Sequence, residues 1–349
     1  MLPVTPRAFQ KTFIQSQCGT YYFPGPNGSP GESIPIPCAH AFIAKIAADG
    51  ASLVYLTYLG GELTDYVNAI AVDAAGNAYL TGTTSSTTFP VTLLAYRSKP
   101  GSGFVTKLSA DGSALLFSTY FDGVQGEAIT FDASGNVYVA GGADGAKFDT
   151  TPGAFQSKGY LGHGDAFVFK LNPYGTRLLY STLVGGTFDD WATSLAVDQQ
   201  GNAYIAGITA SVPAYAHLAG PEGFTPFPTT PGAYYHPGDR SDVFVTKINA
   251  TGTALVYSVL MGGSGFEWLV GLVADGAGSA YFAGYGTPDF PLTPRAFDSG
   301  YSGGFAGKLS ADGSQLVYST HLGGIWLRDA ELAWVDSLGR AVVIGSSMN

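Results

Sequence analysis

Charged side chains make up only 12% of this 349-residue chain, about half the share of an ordinary soluble domain. Basic residues are the scarcest, 16 Lys and Arg against 26 Asp and Glu, for a net charge of −10. That balance excludes the clustered cations that nucleic acid or an anionic membrane surface requires, so neither is expected as a partner. No run of 18 apolar residues occurs, so no span across a bilayer is expected. HExxH, paired CxxC, P-loop and EF-hand signatures are all missing, which removes the commonest readings as a metalloprotease, zinc module or nucleotide-binding enzyme. Glycine, by contrast, is abundant at 49 residues, and hydrophobic residues reach 46%, as in a compact β-protein.

Five copies of one unit fill the chain. A first phrase reads AFIAKIAADGASLVY from Ala41, GFVTKLSADGSALLF from Gly103, AFVFKLNPYGTRLLY from Ala166, VFVTKINATGTALVY from Val243 and GFAGKLSADGSQLVY from Gly304. A second follows each: AIAVDAAGNAYLTG from Ala69, AITFDASGNVYVAG from Ala128, SLAVDQQGNAYIAG from Ser194, GLVADGAGSAYFAG from Gly271 and LAWVDSLGRAVVIG from Leu332. A third reads TFPVTLLAY, FDTTPGAF, FPTTPGAY and FPLTPRAF within the chain, and LPVTPRAF from Leu2. Head and tail fragments therefore add up to one whole unit. A repeat this short cannot bury its own faces, so stacked copies must share one core.

Each unit reads as four strands and no helix, because runs rich in Val, Ile, Tyr, Phe and Thr are separated by Asp…Gly turns. Two hairpins per unit, repeated radially, predict an all-β fold: a β-propeller of five four-stranded blades, one domain over residues 1–349 with loop insertions at 11–40 and 210–241.

The VDxxGNxY phrase joined to a KLxxDG hairpin resembles the SBBP family of bacterial β-propeller repeats and, more distantly, the NHL propellers. The family name alludes to seven blades, so the five units imply either a five-bladed ring or a piece of a longer array. Likeness to NHL repeats implies that AIAVD is the innermost strand, then NAYLTG, FVTKLS and ALLFSTY. The last blade would then take its inner pair from residues 329–346 and its outer pair from residues 41–59, closing the ring and removing two open sheet edges. The resemblance also points to a secreted or cell-surface protein. The segment MLPVTPRAFQKTF carries no secretory signal and Met1 lies inside a repeat, so the chain is expected to be a truncated part of a larger protein.

Cys18 and Cys38, the only cysteines, flank a Pro/Gly-rich insertion; they read either as a disulfide bracing a long loop or as two free thiols. The loops after each GG and those carrying the TPxAF phrase leave the same end of their strands, as do both insertions. Ligands, protein or glycan, are expected on that face. Its aromatic residues include Tyr21, Tyr22, Tyr66, Trp191, Tyr234, Tyr235 and Trp268.

An acid recurs eight positions before the turn Asp in three units, as Asp65, Asp190 and Glu267, each followed by an aromatic residue. Convergent carboxylates would hold Ca²⁺ or act on a polysaccharide as acid and base. Alternatively, each acid caps the incoming loop while the aromatic packs between blades. A Lys of the third strand recurs in all five units (Lys45, Lys107, Lys170, Lys247, Lys308), as does the turn Asp (Asp73, Asp132, Asp198, Asp275, Asp336). These are expected to pair across the second strand, over its Gly-Asn: Lys107 with Asp73, Lys170 with Asp132, Lys247 with Asp198, Lys308 with Asp275, and Lys45 with Asp336.

The stretch GYSGG, Gly300 to Gly304, matches a nucleophile elbow, but it leads into a strand and not a helix, so Ser302 is not expected to act as a nucleophile. The five histidines are scattered. The sequence therefore reads as a monomeric, non-enzymatic, extracellular binding or scaffolding module without a required cofactor. The competing reading is a polysaccharide hydrolase or lyase using Asp65, Asp190 and Glu267.

Overall fold

Alternation of apolar residues between Gly and Asp turns produces short antiparallel strands throughout. The computed structural model describes residues 2–25, 31–160, 163–220, 223–298, 300, 303–322 and 327–347, without the side chains of 327–333 and 346–347. Residues Met1–Gly126 with Tyr174–Arg177 form one compact unit, and Glu127–Pro173 with Leu178–Asn349 a second. No helix among the described residues is long and apolar enough to cross a membrane.

In the first unit, β1 (Gln17–Phe23) and β2 (Glu32–Pro37) form a hairpin, β3 (Ala41–Ile46) and β4 (Leu53–Leu59) a two-stranded sheet. A four-stranded sheet follows, from β5 (Asp65–Val72), β6 (Ala78–Thr84), β7 (Gly103–Leu108) and β8 (Leu115–Phe121), paired in chain order. The second unit repeats that order in β9 (Val124–Phe131), β10 (Val137–Asp144), β11 (Gly164–Leu171) and β12 (Leu178–Val184). Its next sheet pairs β13 (Asp190–Val197), β14 (Ala203–Thr209), β16 (Asp242–Ile248) and β17 (Leu255–Met261), with the two-residue β15 (Tyr235–His236) added in parallel on β17. Then come β18 (Trp268–Ala274), β19 (Ala280–Tyr285), β20 (Gly304–Leu309) and β21 (Leu316–His321), and last the pair β22 (Leu327–Val335) and β23 (Ala341–Ser347). Four strands per unit and their neighbour order follow the sequence reading. Two features do not: the 210–241 insertion contains a 3₁₀ turn, Pro213–Leu218, started by its proline, and β3–β4 and β22–β23 each stand as a two-stranded sheet.

Both faces of a complete sheet are buried. In β14, Ala203 and Ile205 join a core with Val168 and Tyr180, while the alternate residues Tyr204 and Ala206 join another with Phe282 and Phe305. This explains why the second strand reads as nearly continuous apolar sequence. The third phrase also acquires a role. Its first Phe stacks on the Phe of the third strand, as in Phe89 on Phe104 at 4.3 Å, Phe227 on Phe244 at 4.5 Å and Phe290 on Phe305 at 3.9 Å. Its Thr donates a backbone bond to the fourth strand: Thr92 to Ser118, Thr151 to Ser181, Thr230 to Ser258, Thr293 to Ser319, and Thr5 to Leu56. Its last aromatic then donates to a Gly of a following hairpin, Phe155 to Gly252 and Tyr234 to Gly313. The phrase is thus a clasp between successive units.

The β1–β2 hairpin has no such core, since every residue of both strands is exposed. Cys18 and Cys38 are joined in a disulfide, with Cα atoms 4.9 Å apart, and Thr64 donates to the Cys18 sulfur. Closing a loop of this length removes about 3 kcal/mol of chain entropy from the open state. Reduction is therefore expected to release the hairpin alone: amide exchange should rise across 17–37 while β5–β8 stay protected. Loss of protection in β5–β8 on reduction would show that the hairpin supports the sheet instead.

Candidate functional site

The three recurrent acids lie at the end of the blade where the GG loop meets the loop after the second strand. All three side chains are buried. Asp65 accepts hydrogen bonds from Gly61 N at 2.8 Å, Thr84 Oγ1 at 2.5 Å and Ser86 Oγ at 3.1 Å. Asp190 accepts from Gly186 N at 2.7 Å, Ser211 Oγ at 3.2 Å and Thr209. Glu267 accepts from Thr287 Oγ1 at 2.5 Å and Thr287 N at 3.2 Å. Burial raises each carboxyl pKa, and these bonds offset only part of that rise. The acids therefore hold two loops together. Their bonded oxygens face backbone amides and hydroxyls of those loops, whereas Asp190 Oδ1 and Glu267 Oε2 are buried without a hydrogen-bond partner. Among the described residues, no group of three or more His, Cys, Asp or Glu side chains could hold a metal ion.

The aromatic after each acid lies one residue before a bulge of the first strand, at Val67/Ala69, Ala192/Ser194 and Leu269/Gly271. The bulge drives its carbonyl against the second strand. A Cβ on Gly207 would lie 1.9 Å from the Trp191 oxygen, so the Gly of the NAYIAG phrase is required by that approach.

Two further acids open third strands, and sequence reasoning passed over them. Asp165 and Asp242 are as buried as the first set. Asp242 accepts from Gly238 N at 2.8 Å; burial, with the charges of Glu267 and Asp239 added, pushes its pKa up to about 7. Asp165 is pushed up to about 6, again first by burial. A Cβ on Gly185 would lie 2.2 Å from Asp165 Oδ1 and 2.7 Å from Asp190 Oδ2, so one glycine is flanked by two buried carboxyls. The only available signal was a lone Asp before the apolar third strand in two units, ahead of Ala166 and Val243.

Because Asp165 and Asp242 keep their protons in the folded state after the unfolded chain has lost them, the native state binds more protons between about pH 4 and pH 7. Stability from these two groups therefore falls as pH rises through that window. Calorimetry should show Asp242→Asn unfolding at a higher temperature than the parent protein at pH 8, and near it at pH 4.5. An equal difference at both pH values would remove Asp242 as the cause.

At the other end of the strands, Lys107 Nζ lies 3.2 Å from Asp73, Lys170 3.1 Å from Asp132, Lys247 3.1 Å from Asp198 and Lys308 3.4 Å from Asp275. What the Lys crosses is not Gly-Asn but a tyrosine. Tyr79, Tyr138, Tyr204 and Tyr281 stand opposite these lysines in the ladder, and each ring lies 4.4–4.7 Å beneath the ammonium. Each hydroxyl also donates to the same Asp, as Tyr204 does to Asp198 at 3.2 Å. Burial alone would raise the Asp198 pKa, but Asn202 and Lys247 outweigh it and hold it below the ordinary carboxylate value.

The fifth expected pair, Lys45 and Asp336, is divided between the two compact units, and each residue has partners within its own. Lys45 donates to the carbonyls of Ala110 at 3.1 Å and Gly76 at 3.5 Å, and Asp336 is held by Arg340 at 2.5 Å. In that copy Arg340 replaces the Asn and Val342 replaces the Tyr, so there is no ring to carry a Lys and a local cation takes the carboxylate. Lys247→Met should cost about 3 kcal/mol by orphaning Asp198, and the double variant with Asp198→Asn should recover part of it in denaturant melts. A single variant within 0.5 kcal/mol of the parent protein would mean the pair is solvated.

The loop-face aromatics divide. Tyr21, Tyr22, Tyr66, Tyr235 and Trp268 are exposed; Trp268 lies parallel to Tyr285. Trp191 instead packs over Gly142 of the neighbouring sheet, and Tyr234 is the half-buried aromatic of a clasp. Both are half-buried. Ser302 lies outside the described residues.

Comparison with known proteins places these strands in context. No curated protein matches the chain. Among solved structures, BamB from Moraxella catarrhalis is similar over 90% of this chain and 70% of its own, at 12% identity and a TM-score of 0.41. XC5397 from Xanthomonas campestris, a gluconolactonase, is similar over 86% and 75%, at 15% identity and a TM-score of 0.37. The SBBP β-propeller repeat model matches residues 54–90 and 179–211, which run from the fourth strand through the GG loop, the acid and the Asp turn to the loop after the second strand. The chain carries β-propeller repeats of the SBBP type.

Proposed function

We propose that the five repeats close into a ring of five four-stranded blades that serves as a non-enzymatic, extracellular binding module, with its ligand on the loop-rich face. Closure is supported by one contrast. Phe104, Phe167, Phe244 and Phe305 are at most 1% exposed in complete sheets, whereas Phe42, their counterpart in β3, is 54% exposed. Ile46 is likewise 63% exposed where Leu108, Leu171, Ile248 and Leu309 are at most 1%. On β23, Val342 and Ile344 are also exposed. Half-sheets with open apolar faces call for one another, and joining them would complete the fifth blade. Deleting residues 1–60 should then cause aggregation; a monomeric truncation as stable as the parent protein would refute the ring.

The binding role rests on how the repeat uses its polar groups. The recurrent acids and four of the five recurrent lysines are consumed inside their own sheets, whereas Tyr21, Tyr22, Tyr66, Tyr235 and Trp268 project from loops and loop-proximal strand ends. Exposed aromatics suit a protein or glycan ligand. Replacing Tyr21 and Tyr22 together by Ser should weaken ligand capture about tenfold or more, with an unchanged melting temperature. Hydrolysis of a polysaccharide by the purified protein, abolished by Asp190→Asn without unfolding, would overturn the non-enzymatic reading.

A further inference from the structure

We infer that the 11–40 insertion builds a binding site for a neutral oligosaccharide at His40; this rests on the proposed binding role and assigns it a place and a ligand class. Two adjoining hollows of about 360 and 420 Å³ lie in the first unit, and Phe13, Pro37, Cys38 and His40 line both. The first is completed by Gln15, Ser16, Gln17 and Pro35. None of the residues lining either hollow bears a formal charge, so a charged ligand would lose its hydration without a counter-charge. Amides, a hydroxyl and an imidazole beside an aromatic ring and prolines offer hydrogen bonds along an apolar wall, which is the chemistry a sugar ring presents in return.

His40 supplies the independent sign of a ligand. Its side chain is 5% exposed, and neither ring nitrogen has a hydrogen-bond partner. A buried polar group left this way is unfavourable unless a partner arrives. The imidazole is held in place meanwhile: Phe13 lies against it with ring centroids 4.9 Å apart, and Nδ1 is 3.7 Å from Asp65 Oδ2. Asp65 is already satisfied by Gly61, Thr84 and Ser86, so it orients the ring without needing it. A modest shift of Phe13, which edges onto Tyr58 at 5.0 Å, would uncover the imidazole between the two hollows. A hydroxyl of the sugar would then pair with it, and the chain of sugars would run from one hollow into the other. The Cys18–Cys38 bridge holds the wall on which this depends.

The test is calorimetric titration of the intact oxidised protein with neutral glucan, mannan, xylan and chitin oligosaccharides, and with an acidic uronate oligomer as control. At least one neutral series should bind and the uronate should not. His40→Gln and the exposed pair Gln15→Ala with Gln17→Ala should each weaken binding about tenfold, as should reduction of the disulfide, while Leu338→Ser, at an exposed turn of the second unit, should not. Thermal melts confirm that the glutamine variants fold. No binding of any neutral series, or binding that survives the His40 and Gln variants, would overturn the assignment. The second outcome would leave the binding role itself standing, whereas failure of every ligand class, protein included, would remove both.

Discussion

A four-stranded sheet made of these repeats is apolar on both faces and has no helix to cover either. Every other feature follows from the need to hide those faces. The second strand is nearly continuous hydrophobic sequence because alternate residues enter two different cores, as Ala203 and Tyr204 do. The Phe of the third phrase is stacked on the third strand because that position closes the core at the loop end. Where a sheet is only half formed, at β3–β4 and β22–β23, the same positions stand open.

Polar groups obey the same constraint from the other side. A carboxyl in this packed interior needs donors to offset its burial, and the two ends of the blade supply them differently. At the loop end Asp65, Asp190 and Glu267 take backbone amides and hydroxyls and keep raised pKa values. At the turn end Asp73, Asp132, Asp198 and Asp275 take a Lys that lies over a Tyr ring, and their pKa values fall. The first set ties loops to strands and the second ties the third strand to the first. Both sets are tied up in holding the sheet together.

Glycine carries the close approaches that make this packing fit. Gly207 admits the carbonyl of Trp191, and Gly185 fits between the carboxyls of Asp165 and Asp190.

Periodicity and turn chemistry determined the strands and the number of repeats, since these depend on contacts within a few residues of one another along the chain, whereas the order of the strands followed from the resemblance to NHL repeats. They also identified the recurrent Lys and Asp as partners in four copies. The sequence did not disclose the Tyr between them, because the ladder register that sets Tyr204 opposite Lys247 arises only when two strands separated by a long insertion pair. Nor did it disclose that Asp65 lies beneath His40, or that Asp242 neighbours Glu267, since these acids meet partners far along the chain. The fifth copy shows the limit most clearly: Arg340 and Val342 were visible in the sequence, but their effect on Asp336 follows from which cation can reach the carboxylate, and only the tertiary structure decides that distance.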